Sequence, residues 1–428
     1  MTILKKIILS IVIIFAIIYA YASCATGNDF EVYLEAAKQL KNHNNIYAPP
    51  FIRGLQYFYS VFFALLLLPV SNYVFITQFL WILVTYVFLF RIGVLISSYF
   101  DLSILTQTQK NILLFFAFFL SIQFILYEVD LIQITSFLLW SMLESIGLLR
   151  KKKYIAAGVI LAVAINIKIM PLLLFPYLFY RGYFKTIFVC FGCFVILLFL
   201  PSIFIGTSYN HFLLAEWWRV INPTNKEHLF ETEIGPHSLT AWLPVLLMNS
   251  VGEFPEKRNF LNLMPTTVEI ILNVTRFLLL SLSLFYLRTL PFKKENNDVK
   301  FFWELAYFIM LIPLIMPHQQ KYNFLLVTPM LTYLLYFFIS TIKFKKTFFY
   351  KIVFVLFILN MLVFSPIYGS DIIGKWYRYT QHFRVLTICT LLVIPISIYC
   401  NPARLNDLCK RGYDDVGENK RLQEKLTP

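Results

Sequence analysis

Long apolar runs recur along this chain from its first residues to Cys400, and lysine and arginine gather in the short loops between them. That alternation limits the fold more than any other feature. In hydrocarbon every backbone N–H and C=O needs a partner within the protein, so apolar runs of this length cross a bilayer as helices. The runs fall near 3–22, 57–70, 73–98, 110–126, 132–149, 155–180, 186–206, 238–250, 267–288, 301–317, 322–341, 348–366 and 384–400. The expectation is an all-α, polytopic membrane protein of about 11–13 transmembrane helices plus one or two broken or re-entrant segments. Composition agrees. Of 428 residues, 59% are hydrophobic and only 14% charged, where soluble domains are about a quarter charged.

The net charge of +14 would suit a nucleic-acid partner if it formed a patch. It does not: the basic residues sit in loops, which is the pattern that orients membrane proteins with those loops in the cytoplasm. Lys5 and Lys6, Arg150 to Lys153, Arg181 with Lys185, Arg288 with Lys293 and Lys294, and Lys343 with Lys345 and Lys346 are therefore expected inside, and nucleic acid is excluded as a partner. The N-terminal run has the make-up of a signal peptide but reads as an uncleaved first helix. Both termini are expected in the cytoplasm, around the cytoplasmic (inner) membrane. Residues 1–400 form one transmembrane domain in this reading and 401–428 a cytoplasmic tail. The polar stretches 23–56, 207–237 and 367–383, with the turn Met316–Lys321, come out on the opposite, extracytoplasmic face.

The parity of crossings fails at one place. Segment 155–180 has basic loops at both ends, with Lys168 and Pro171 at its middle, so it reads as a hairpin broken there and returning to the same side. Lys168 then falls on the cytoplasmic half, as a structural or headgroup-contacting residue. The 238–250 run is too short for an easy crossing. No internal repeat is evident. Of the six cysteines, all but Cys409 lie in or at the ends of apolar runs, where cysteine is most often a small buried hydrophobe.

Polar residues at these boundaries are the candidates for chemistry. Asn28 or Asp29 precedes an amphipathic helix, EVYLEAAKQL, and either could cap it; Asp29 could equally be a solvated or a reactive carboxylate. His318, Gln319, Gln320, Lys321 and Tyr322 follow one another between two apolar runs, as an exposed turn or as a substrate contact. His318 and Lys321 together suit a phosphate. In EIGPHSLTAW, Ser238 is a candidate N-cap beside His237, and Gln133 starts the span after Asp130. No nucleotide-binding motif, metal-protease motif, nucleophile elbow or D-x-D metal motif is present.

Taken in order, these pieces resemble the bacterial membrane enzymes of glycosyltransferase family 87. NDFEVYLEAAKQL and NNIYAPP match the stretch after the family's first span. Tyr57 and Tyr59 match its Y-x-Y-P-P, with Ser60 and Val61 in place of the prolines. DLIQIT keeps the glutamine of a G-Q-x-N stretch as Gln133, and INIKIMPLLLFPYLFYRGYFK resembles K-P-x-P-L-L-L-x-P-Y-x-L-x-R-R. PHSLTAW resembles N-Q-S-L with His237 for the glutamine, and MPHQQKYNFLLVTPML the family's histidine-bearing turn. The resemblance spans roughly residues 20–340. It implies the GT-C architecture and transfer of a hexose, mannose being the best-known one, from a polyprenyl-phosphate sugar on the extracytoplasmic face. The acceptor would be a hydroxyl of a glycolipid or glycan. Asp29 would be the general base of an inverting displacement, and His318 with Lys321 would contact the donor phosphate. Gln319, Tyr322, His237, Ser238, Tyr57, Tyr59 and Gln133 would line the substrate site. The lipid-linked donor is a substrate, and neither a metal nor another cofactor is implied. A transporter or flippase of a lipid-linked saccharide is the alternative, since broken helices and intramembrane lysines also serve transport.

Overall fold

The computed structural model describes residues 3–48, 52, 54–222, 225, 229–250, 252, 254–344 and 347–409. Pro49, Pro50, Lys345, Lys346, the Lys5 side chain and the tail from 410 onward, on which parts of the sequence reading rest, lie outside the described residues. Among the described residues the chain is helical, with no β-sheet.

The helices divide into two compact units, residues 1–96 with 125–227 and residues 97–124 with 228–428. The first holds α1 (Ile3–Cys24), α2 (Phe30–Lys41), α3 (Val61–Leu67), α4 (Val74–Ser97), the end of α5 (Gln107–Leu131), α6 (Thr135–Arg150), α7 (Tyr154–Ile167), α8 (Phe175–Tyr180), α9 (Phe184–Phe199), α10 (Ser202–Ile205) and α11 (Thr207–Ile221). The second holds the start of α5, then α12 (Leu239–Leu247), α13 (Pro265–Leu287), α14 (Asp298–Ile315), α15 (Thr328–Thr341), α16 (Phe348–Phe364), α17 (Ser370–Ile373), α18 (Lys375–His382) and α19 (Val385–Tyr399). Among the described residues five helical runs are long and apolar enough to cross a membrane: α4, α5, Phe184–Ile205, α13 and Lys321–Thr341. The pair α18–α19, bent by 64°, adds a sixth if it counts as one span, and shorter apolar helices such as α7 and α16 accompany them. The protein is a polytopic, all-helical membrane protein.

Three local features position the polar clusters of the two units. The first is the start of α2. Its buried Phe30, Tyr33, Leu34, Ala37 and Leu40 recur at helical spacing, so one face packs inward. The capping bond goes to Asn28, whose Oδ1 accepts from the Phe30 N–H at 3.1 Å. Asp29 stands at the N-cap but makes no side-chain cap bond, which leaves its carboxylate for a distant partner.

The second is the broken hairpin. Helix α7 ends at Ile167, Lys168 is extended (φ −144°, ψ 126°), and a 3₁₀ turn over Met170–Leu174 leads into α8. Pro171 has no N–H and cannot continue a helix through the turn. The two ends meet again, because Thr186 Oγ1 at the start of α9 donates to the carbonyl of Tyr154 at 3.2 Å. The segment therefore doubles back, so that its two ends lie together. Helix α7 lies so close to α9 at Gly158 that a Cβ there would sit 2.8 Å from the Thr186 carbonyl and 2.9 Å from the Val189 side chain. Only glycine admits that approach.

The third is the centre of the second unit. In the run Lys321–Thr341, 94% of the apolar window is buried, so a helix apolar on every side is enclosed by its neighbours. Its 3₁₀ start, Lys321–Val327, follows the polar turn at His318. The short 238–250 run yields only the nine residues of α12, with Pro244 inside it.

Candidate functional site

In the first unit the N-terminal end of α2 meets the break between α5 and α6. Ile132, in the left-handed region at φ 50°, turns the chain so that Gln133 faces α2. Its amide Nε2 donates to Asp29 Oδ2 at 2.6 Å, and its Oε1 accepts from the hydroxyl of Tyr33 at 2.9 Å. The Tyr33 and Tyr59 hydroxyls lie 2.6 Å apart, and Tyr59 is itself 3.4 Å from Gln133 Oε1. The Gln133 backbone is fixed in turn by the Trp81 indole, which donates to its carbonyl at 3.0 Å. One glutamine thus joins a half-buried carboxylate to a tyrosine pair. Tyr57 supports this arrangement from behind: fully buried, it donates to the Ser60 carbonyl at 2.9 Å.

Ser60, which stands where the family pattern has proline, caps α3 through its Oγ, accepting from Phe63 N–H at 3.2 Å. The same hydroxyl donates to Asn166 Oδ1 at 3.0 Å, which ties the hairpin tip to the tyrosine loop. Lys168, two residues on, holds its ammonium 5.2 Å from the centre of the Tyr59 ring. The charges that act on it are Asp29 and Glu128. This corrects the sequence reading, which puts Lys168 on the half of the protein away from Asp29. The hairpin's turn carries the lysine to the Asp29 cluster. Glu128, which the sequence did not single out, is committed to structure: it accepts from Ser136 N–H at 2.6 Å and from the Ser136 hydroxyl at 2.9 Å.

In the second unit the organising residue is one the sequence reading missed. Glu231 is 1% exposed and accepts from the His318 backbone N–H at 2.9 and 3.1 Å, from Ser238 Oγ at 3.2 Å and from Thr240 Oγ1 at 2.5 Å. His318 Nδ1 lies 2.5 Å from its Oε1. Burial alone would push this carboxyl up. The hydrogen bonds and charge of His318, with the Thr240 hydroxyl, outweigh it and hold Glu231 below the usual carboxylate range. Glu231 therefore fixes the ring of His318, whose backbone takes the left-handed φ of 56° and whose side chain is 35% exposed. Ser238 stands at the N-cap of α12 as expected, but its side chain makes no cap bond and serves Glu231 instead.

The other expected residues of this turn divide by exposure. Lys321 Nζ lies 5.0 Å over the Tyr377 ring and donates to its hydroxyl at 3.4 Å. Gln319 is buried and donates to the Pro317 carbonyl at 2.5 Å, and Tyr322 is buried beside it. His237 is fully buried; its backbone N–H donates to the Gln319 carbonyl at 2.7 Å, joining the two loops. Burial, then the charge of Arg384, pushes its imidazole from the ordinary 6.5 down to about 3. A ring held neutral in this way cannot serve as a cation for phosphate. Its nitrogens lie beside Gln381 without reaching hydrogen-bond geometry. Among the described residues no three His, Cys, Asp or Glu side chains converge as a metal site.

The fold is thus that of an all-helical membrane protein whose polar side chains gather at breaks between helices. Residues 57–317, more than half the chain, match Glycosyltransferase family 87, and the chain belongs to that family. It is a glycosyltransferase on that ground. No curated protein and no solved structure matches it. Tyr57, Tyr59, Gln133, Lys168, Glu231, His237 and Ser238 lie within the matched range, whereas Asp29, His318, Gln319, Lys321 and Tyr322 lie outside it.

Proposed function

We propose that this glycosyltransferase moves a hexose from a polyprenyl-phosphate sugar to a hydroxyl of a glycolipid or glycan, on the extracytoplasmic face of a bacterial cytoplasmic membrane. Mannose is the sugar the resemblance favours. The observation that carries the reading is Asp29: a half-buried carboxylate excused from capping its helix and aimed by Gln133. In the reaction the acceptor oxygen attacks the anomeric carbon as Asp29 takes its proton. The bond from that carbon to the phosphate oxygen breaks, and polyprenyl phosphate leaves with the electron pair. Attack from the face opposite the leaving group inverts the carbon. An alcohol is a poor nucleophile at neutral pH, so the base contributes about 10²–10⁴-fold. His318, with its ring fixed by Glu231, and Lys321 are assigned to the donor, where positive charge and N–H donors favour the departing phosphate.

Asp29→Asn keeps the shape and one acceptor oxygen but removes the base. Sugar transfer from a polyprenyl-phosphate sugar in proteoliposomes should fall by about 10²–10⁴-fold, with the protein still inserted and folded. Turnover like that of the wild type would remove Asp29 from this role. If lipid-linked saccharide instead crosses the bilayer with no glycosidic product, the flippase reading replaces this one.

A further inference from the structure

The turn that carries Glu231 is held by two cations that take no part in the displacement assigned to Asp29. Arg384 is 0% exposed and Arg258 3%, and both reach the same short piece of backbone. Arg384 Nη2 donates to the Glu233 carbonyl and, at 3.3 Å, to that of Thr232, with the Glu231 carbonyl 3.5 Å away. Arg258 Nη2 also donates to the Thr232 carbonyl, at 3.0 Å, and to Ser250 Oγ at 3.1 Å. Two guanidiniums from distant parts of the chain thus meet at one carbonyl oxygen.

Burying a cation is costly, and a buried charge seldom stabilises a fold more than an apolar side chain of like size would. Its better-attested use is to select one geometry. What this pair selects is the path of residues 231–233. With those carbonyls fixed, the Glu231 side chain starts from a fixed point, and its carboxylate accepts the His318 N–H and faces Nδ1 of the same residue. Arg384 is fixed in its turn. It stands in the left-handed region at φ 54°, where α18 and α19 meet at 64°, and its Nη1 donates to the Gln381 carbonyl at 3.3 Å. A residue other than glycine keeps that backbone only where its surroundings over-determine it. His318, at the other end of these contacts, takes the same conformation at φ 56°. All four residues belong to the second unit.

We propose that Arg384 is a positioning residue: it holds the backbone of 231–233 and so sets where the Glu231 carboxylate fixes the His318 imidazole. Arg258 shares that task at Thr232. Arg384 touches no substrate in this role, and its effect on a ligand passes through Glu231 and His318. That effect rests on the donor contact proposed above for His318; the hold on the imidazole does not.

The test uses the full-length protein in phosphatidylcholine nanodiscs with ring-¹⁵N histidine, the His318 signals being those lost in His318→Ala. Glu231→Gln should shift them, because the imidazole then faces a neutral amide. Arg384→Gln should move them toward the Glu231→Gln positions, and Arg384→Lys part of the way, since one ammonium cannot replace a fork of donors. The signals of His43, in the first unit, should stay. Binding of undecaprenyl phosphate, read by native mass spectrometry, should weaken by about tenfold in Arg384→Gln and in Glu231→Gln, the size of one lost charge-assisted hydrogen bond. The double variant should lose no more than either single one. His318 signals unmoved by both Arg384 substitutions would overturn the proposal, and so would losses of binding that multiply in the double variant. Unfolding of both Arg384 variants would make Arg384 a residue of the fold alone and overturn it too. A wild type that does not bind undecaprenyl phosphate would sink the donor class, while a shift of the His318 signals would still support the positioning role.

Discussion

At the scale of single residues, the polar groups here work in pairs set by burial. Asp29 is relieved of capping by Asn28, which takes over that bond, and is held by Gln133 instead. Glu231 shows the converse: a carboxylate with no substrate contact of its own holds His318, the imidazole proposed to meet the donor. Glu231 and His237 also give the second unit a pH dependence whose sign is fixed. The folded state keeps His237 neutral, with its imidazole near 3, whereas the unfolded chain takes up a proton around 6.5. Between those values the unfolded state binds more protons, so stability present above about pH 6.5 is lost as pH falls. Glu231, held below its ordinary range, adds to the loss in the carboxylate region, where the unfolded chain protonates first. The melting temperature should therefore drop from about pH 7.5 to about pH 5, and His237→Phe should flatten that slope. A flat profile in the wild type would contradict the burial of His237.

At the scale of elements, the hairpin of α7 and α8 is the device on which the first cluster depends. Its depth is fixed by packing at Gly158 and by the Ser60–Asn166 bond at its tip. Gly158→Ala places a methyl group against the Thr186 carbonyl, a backbone atom that cannot swing aside. Overpacking of this kind costs about 1–3 kcal/mol. It should lower the melting temperature and, by lifting α7 from α9, shift the lysine end as well. Equal stability of Gly158→Ala and wild type would mean that the two helices have room to separate. The hairpin itself was legible in the residues: Lys and Arg at both ends and Pro171 in the middle leave few other solutions. The address of Lys168 was not, because topology counted along the chain gives a side of the membrane and not the neighbour that the tip will meet.

At the scale of the whole molecule, the apolar runs and basic loops define a polytopic membrane protein, and family 87 membership covers residues 57–317. The orientation proposed for it has a direct consequence. In a cysteine-free background, Thr26→Cys, at an exposed position beyond α1, should react with a membrane-impermeant thiol reagent added to intact cells. Lys151→Cys, exposed after α6, should react only once the membrane is opened. The reverse pattern would invert the topology and remove the extracytoplasmic reading of the Asp29 cluster.

The sequence alone determined that the chain is helical and membrane-embedded, where its helices break, and which short polar stretches stand at their ends. These follow from a local cost, that of taking backbone and charge into hydrocarbon, and each window of residues carries that cost itself. Only the tertiary structure decided that Gln133 holds Asp29 across 104 positions, that Glu231 holds His318 across 87, and that Lys168 comes to Tyr59. Such pairings depend on which helices pack side by side, and that choice sums many weak contacts, none of which is written in any one stretch of the chain.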